Sequence, residues 1–405
     1  MSNNHINKHM DIKQSEERIV VLDVIRGVAV LGIFIMNIQS FAMVQAAYAN
    51  PTAYGDLSGV NLVAYLFSNL FADQKFMTIF SALFGAGIVL MSEKLERKGL
   101  QATTIHYRRM VILAVIGLLH AYILWWGDIL FSYAIAGMIV YRWRHQNPTQ
   151  LIIKGCLCIA LCSLILLAFG LLISYLPASA LTEFLVIWQP TEQQISDETA
   201  MVLQGWFEQS ETRLIWLGDV LFALFIYLPR IIGLMMIGMA LYKLRFFGDF
   251  YSNKALLVNG VVAFVIGITV TAFGTYLNFN ENWHIDGLFL TSQYNYWGSI
   301  AVAYAYCCFL IWFYRQQFAK TIKRLLANVG KMALSNYLLQ SFIGCGLFYG
   351  WGLGLFGATE RVEQMFIVVS VWLLLVSFSA FWLKYYSYGP FEGVWRYATY
   401  KKWHN

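Results

Sequence analysis

Apolar residues run through this chain in blocks of roughly twenty, the length of helix that crosses about 30 Å of hydrocarbon. The blocks are Leu22–Ala46, Gln74–Met91, Met110–Trp126, Ile129–Tyr141, Leu151–Leu176, Leu217–Leu241, Ala255–Leu277, Tyr296–Tyr314, Met332–Tyr349 and Val362–Leu383. They predict an all-α protein, a polytopic membrane bundle of about ten transmembrane helices. The fourth block is short and joins the third through Gly127 and Asp128, which reads as a helical hairpin at the outer face. Asn61–Ala72 reads as an amphipathic helix lying on the membrane surface.

The polar connections orient the bundle, because Lys and Arg collect on the cytoplasmic side. With the N-terminus placed inside, Lys94, Arg97, Lys98, Arg142, Arg144, Lys243, Arg245, Lys320 and Arg324 all fall on that side. The opposite connections are acidic, with Asp56, Glu192, Asp197, Glu198, Glu281 and Glu360, and carry only Arg213 and Arg361. Both termini are then cytoplasmic. The expected organisation is a disordered cytoplasmic tail over 1–18, a bundle over 19–383 and a cytoplasmic C-terminal tail over 384–405. Within the bundle, 177–216 forms an outer loop or cap. Trp125, Trp126, Trp216, Trp283, Trp297 and Trp351 fall near span ends, as an interfacial aromatic belt does.

Composition closes off other classes. Only 12% of the 405 residues are charged against 59% apolar, too few for a water-facing surface of ordinary polarity. The net charge of +6 comes from residues between spans, not from a patch, so no nucleic-acid partner is expected. The six cysteines lie inside apolar blocks without histidines at metal-ligand spacing. No metal and no permanently bound cofactor are expected; the lipid bilayer and a small-molecule substrate are the expected partners, and a homodimer is left open.

Ionisable residues at membrane depth are costly and usually face the bundle interior. In the first span, Arg26 and Asn37 stand eleven residues apart and return to within about 20° of one another, with Asp23 about 60° away. The third span repeats the spacing with Arg109 and His120, and Asp128 follows eight residues on. Asp73 and Lys75 head the second span, and Arg230 follows Pro229 in the sixth. Asn336 and Gln340 share a face of the ninth, ahead of a glycine-rich stretch. Each admits a structural reading: an interfacial ion pair for Asp23 and Arg26, an internal salt bridge for Arg230, a satisfied core histidine for His120, and interhelical glue for the amides.

The run Leu22-Asp23-Val24-Ile25-Arg26-Gly27 with Asn37 and Gly117-Leu118-Leu119-His120 with Gly127-Asp128 resembles the YeiB family of bacterial inner-membrane proteins. So do Gly330-Lys331-Met332-Ala333-Leu334-Ser335-Asn336-Tyr337 with Gln340, and Tyr388-Gly389-Pro390-Phe391-Glu392 with Trp395-Arg396. The C-terminal half of that family is catalogued as a domain of unknown function. More distantly, Asp23-x-x-Arg26-Gly27 with Asn37 is similar to the first span of the transmembrane acyltransferase superfamily. Its enzymes pass an acyl group from cytoplasmic acyl-CoA across the membrane. The position of Asn37 is a histidine in many of them, and is Asn in the branch resembling heparan-alpha-glucosaminide N-acetyltransferase.

Two functions follow as expectations. As a membrane acyltransferase in a bacterial inner membrane, the chain would bind acyl-CoA through Arg26 and Arg109. His120 would be its general base, Asp128 the orienting carboxylate and Asn37 the oxyanion donor, while Asp23, Asp73, Lys75, Arg230, Asn336 and Gln340 would contribute to binding. As a transporter or exporter, Asp73, His120, Asp128 and Arg230 would form a proton or anion path.

Overall fold

The computed structural model describes residues 2–175 and 177–400, with side chains from Val20 onward apart from a few positions. The tail expected over 1–18 lies outside the residues whose side chains are described. Among the described residues the chain is helical and has no strand. In lipid this follows from the backbone itself, since only a helix pairs its own amides and carbonyls within one segment.

The first helices are α1 (Ser2–Ala42), the short α2 (Ala46–Ala49), α3 (Gly59–Phe67), α4 (Lys75–Arg97), α5 (Ala102–Ile123) and α6 (Leu130–Val140). Then come α7 (Pro148–Leu172), α8 (Ala178–Trp188), α9 (Glu192–Val202), α10 (Ser210–Lys243) and α11 (Asn253–Asn280). The chain finishes with α12 (Ser292–Arg315), α13 (Lys320–Lys331), α14 (Ala333–Phe348), α15 (Arg361–Tyr385) and α16 (Pro390–Tyr400).

Each of the ten apolar blocks carries a helix, but among the described residues eight helical segments are long and apolar enough to cross a membrane unaided. The other two are α6, with 11 residues, and α14, with 16. At 1.5 Å per residue they reach about 16 and 24 Å, short of the 30 Å core. Both are largely buried, and short helices survive at membrane depth when protein rather than lipid surrounds their ends. Around 60–68, Val60, Val63 and Phe67 are exposed while Asn61, Tyr65 and Ser68 are buried, so the apolar side faces outward, the side that a helix lying against a membrane turns to lipid. A π-helical turn, Ser68–Ala72, then leads to a break at Asp73 and Gln74, where Gln74 takes φ 62° before α4 begins.

From Val20 onward α1 is the central post, most of that stretch buried against α13, α4, α14 and α15, whereas α11 and α15 present much of their surface outward. Lipid offers no hydrophobic drive to pair helices, so close approach at small residues has to hold them. One such close crossing is α1 on α13. A Cβ on Gly330 would stand 1.8 Å from the Asp23 carbonyl oxygen, and one on Gly27 2.1 Å from that of Leu326. Gly85 and Gly238 do the same for α4 against α10.

At the acidic end, the short helices α8 and α9 lie within the stretch 177–216 and are tied to neighbouring segments. Asn50 Nδ2 donates to the Trp188 carbonyl (2.9 Å), Trp188 Nε1 to that of Trp283 (2.8 Å), and Glu198 Oε1 accepts from Gln45 N (2.8 Å). Trp125 and Trp283 are therefore not belt residues: both are buried, Trp125 against Phe41 and Trp283 against Trp188. At the basic end the segment expected as a C-terminal tail carries α16, which packs on α5 and α14.

Candidate functional site

The geometry of the site starts with a missing side chain. A Cβ on Gly117 would lie 2.4 Å from Phe131 N and 2.7 Å from Asp128 Oδ1, so α6 returns tightly along α5. That return brings Asp128 back beside His120. The His120 Nδ1 to Asp128 Oδ2 distance is 2.8 Å, and both side chains are almost wholly buried. Asp128 Oδ1 accepts from Phe131 N (2.8 Å), capping α6 from just ahead of its start, where helix amides favour an anion. A carboxylate only accepts, so this contact orients the ring with Nδ1 as donor toward Asp128 and Nε2 turned away from it. Buried Nε2 has no hydrogen-bond partner among the described residues.

Next to this pair lies a cavity of about 650 Å³. Arg26, Lys94, Lys98, Arg109, Lys331 and Arg396 line its mouth at the basic end of the bundle. Deeper, the walls are Ile33, Leu83, Phe84, Met110, Leu113 and Leu130, and the inner end includes Ile129 and Tyr337. Arg26 pairs with Asp23 at 2.7 Å. Arg109 is stacked over Trp395 at 4.1 Å, and Trp395 Nε1 donates back to the Arg109 carbonyl (2.9 Å). His120 does not line the cavity. It stands one layer behind, with its ring 5.2 Å from that of Tyr337. Eleven residues of α5 separate Arg109 from His120, about 16 Å along the helix axis.

The remaining predicted residues do not converge on this chamber. Asp73 accepts from Tyr48 Oη (2.8 Å) and Asn295 Nδ2 (2.6 Å), and Lys75 Nζ donates to Asn295 Oδ1 (2.6 Å) and the Asn69 carbonyl (2.7 Å). Beside them Arg230 donates to Gln74 Oε1 (2.6 Å), Ser299 Oγ (2.9 Å) and the Tyr296 carbonyl (3.1 Å), with its guanidinium 4.0 Å above the Tyr296 ring. The anionic partner expected for Arg230 is thus replaced by neutral oxygens and a ring face. Among the described residues no hydrogen bond joins this network to His120 or Asp128. Asn336 donates to Ser379 Oγ (2.9 Å) and the Val329 carbonyl (3.1 Å), and Gln340 to the Val30 carbonyl (3.0 Å), which makes both amides bundle glue. Asn37 is half-buried on α1, lines no part of the cavity, and makes no side-chain hydrogen bond among the described residues.

The chain is 32% identical to the uncharacterised protein YeiB of Escherichia coli K12 over 387 residues, covering 95% of this chain and 96% of that one. It belongs to the YeiB family. It is also 28% identical to the uncharacterised protein YxaH of Bacillus subtilis 168, with 96% of each chain covered. An uncharacterised 39.9 kDa protein from the amylase 3′ region of Bacillus acidopullulyticus is 25% identical, with 97% of each chain covered. Residues 241–402 match the family described as "Protein of unknown function (DUF418)". No solved structure matches.

In this YeiB-family chain the cavity draws on residues that spacing within single helices does not reveal. Lys331, Trp395 and Arg396 reach the mouth only because α13 and α16 fold under the bundle. Glu392 does not pair with Arg396 as the four-residue spacing suggests. It caps α14, accepting from Leu334 N (2.7 Å), Ser335 N (3.1 Å) and the Ser335 hydroxyl, while Arg396 lies over the Tyr388 and Tyr400 rings. The two arginines on the acidic side are buried: Arg361 donates to the Asp56, Pro51 and Tyr54 carbonyls, and Arg213 donates to the Trp206 carbonyl and lies 4.3 Å over the Trp206 ring. The charge bias along the chain is thus also a packing feature.

Proposed function

We propose that this protein is a membrane-embedded acyltransferase. It moves an acyl group from a cytoplasmic acyl thioester, acyl-CoA, to an acceptor at or across the bacterial plasma membrane. The observation that carries the reading is the buried Asp128–His120 pair with an open Nε2, set behind the inner end of a cavity with a cationic mouth. The basic mouth faces the cytoplasm by the positive-inside rule. Arg26, Arg109, Lys331 and Arg396 hold the anionic end of the donor there. About 16 Å of helix between Arg109 and His120 then demands a donor whose reactive carbonyl sits at the end of a long arm, away from its phosphates. Apolar walls along that arm keep water from the thioester.

At the inner end, Nε2 removes the proton from an acceptor hydroxyl or amine as its oxygen or nitrogen bonds to the thioester carbonyl carbon. Asp128 stabilises the imidazolium that forms. The C–S bond breaks, and the departing thiolate takes the proton back from His120. Purified protein in proteoliposomes is expected to release free thiol from acyl-CoA, and His120→Ala to abolish that release. Absence of turnover at every chain length from acetyl to palmitoyl, or equal turnover in His120→Ala, refutes the proposal.

A further inference from the structure

We infer that Tyr337 is the partition between cavity and base: it positions the Asp128 loop with its hydroxyl and screens His120 with its ring. The side chain is buried and belongs to two environments at once. It lines the cavity, and its ring packs against His120 with centroids 5.2 Å apart. Its hydroxyl accepts from Ile129 N (3.3 Å) and donates to the Gly127 carbonyl (3.3 Å), the residues on either side of Asp128. One side chain of α14 therefore ties down the turn that carries the carboxylate and separates the imidazole from the space a donor enters. The pair does not depend on it for hydrogen bonding, since Asp128 is held independently by Phe131 N.

The tether explains why the turn 124–129 keeps Asp128 in register with His120 although it is not helical. The screen explains how a basic nitrogen can stay buried and unpartnered beside a cavity open at its mouth. A donor filling the cavity reaches Tyr337 before it reaches His120, so displacement of the ring is the step that brings Nε2 to the substrate. Water in the empty cavity is kept from the base until a donor has filled the cavity and moved the ring.

This inference rests on His120 as the base, but it can be tested without turnover. Diethyl pyrocarbonate acylates unprotonated imidazole, and peptide mapping reads each histidine of the protein in nanodiscs. His145 and His284, both well exposed, serve as internal standards for an intact fold. His120 in the wild type is expected to react at least tenfold more slowly than they do. Tyr337→Phe keeps the ring and should leave that protection in place. Tyr337→Leu removes it and should raise His120 reactivity at least tenfold, and filling the cavity with dodecyl phosphate should slow it again. Tyr337→Met, whose unbranched side chain is longer and more adaptable than leucine, replaces the leucine variant if that one does not fold. Wild-type His120 reacting as fast as His145, or protection unchanged in a folded leucine or methionine variant, overturns the partition. Where acyl-CoA turnover is present, Tyr337→Phe should lower kcat with KM unchanged, because only the tether is lost. Lack of any turnover with the predicted labelling pattern would count against the acyltransferase reading and leave the partition standing.

Discussion

Replacing Asp128 by Asn changes one atom and, by the geometry, the tautomer of His120. Asp128 Oδ1 accepts from Phe131 N and Oδ2 from His120 Nδ1, each at 2.8 Å. An asparagine can keep its oxygen on Phe131 N, so the cap of α6 survives and its amide group faces Nδ1. That group donates, which forces Nδ1 to become the acceptor and puts the hydrogen on Nε2. The base is lost without loss of the fold. General base catalysis contributes about 10²–10⁴-fold, equal to about 2.7–5.4 kcal/mol of transition-state stabilisation. One weakened hydrogen bond to a formerly charged group costs stability of about 1.5–3 kcal/mol. Thiol release from acyl-CoA in proteoliposomes should therefore fall at least a hundredfold, with a well-folded protein by thermal unfolding. Nitrogen-15 NMR of labelled histidine should show the hydrogen of His120 moving from Nδ1 to Nε2. Turnover within threefold of wild type, with the tautomer switched, would refute His120 as base; an unswitched tautomer would refute the hydrogen-bond geometry.

Other expectations test the frame around the site. Gly330→Ala places a Cβ 1.8 Å from the Asp23 carbonyl where about 3.0 Å is the practical minimum, so α1 and α13 must part by more than an ångström. We expect about 1–3 kcal/mol of destabilisation, read by thermal unfolding, and weaker donor binding because Arg26 and Lys331 flank that crossing. Arg109→Ala should weaken binding of an acyl-CoA thioether about ten- to hundredfold at low salt by calorimetry, with a smaller loss at high salt, since a charge-assisted contact is worth about 1.5–3 kcal/mol. Arg230→Met strands the oxygens of Gln74, Tyr296 and Ser299 and should lower the melting temperature, yet leave thioether binding unchanged because Arg230 lines no part of the cavity. In α9, burial pushes the Glu198 carboxyl up to about 7 despite the hydrogen bond from Gln45 N. A raised carboxyl favours the folded segment while protonated, so that stabilisation is complete below about pH 4.5 and is lost as pH rises through about 7. Hydrogen exchange across α9 should quicken from pH 5 to pH 8, and Glu198→Gln should remove the pH dependence.

The sequence alone determined the fold class. Periodic apolar blocks have no folded alternative in a bilayer, where unpaired backbone is too costly to leave exposed. It also placed Arg26 with Arg109 near one end, because the charge bias assigns those ends, and named His120 with Asp128 as base and orienting carboxylate, a pairing conditional on the hairpin folding back. Helical spacing alone put Asp128 about 80° away from His120. What removed the condition was Gly117, whose missing Cβ lets α6 come back against α5. Only the tertiary structure decided which intramembrane polar residues share a space. Asp73, Lys75, Arg230, Asn336 and Gln340 looked equivalent in sequence because each is a polar group in an apolar block. Their partners come from helices tens or hundreds of residues away, such as Asn295 for Lys75 and Ser379 for Asn336. The mouth of the cavity was hidden for the same reason: Lys331, Trp395 and Arg396 meet Arg109 only after α13 and α16 pack beneath the bundle. Helical period fixes direction around one axis, whereas a cavity is defined by the distance between axes, and close contacts between helices set that distance.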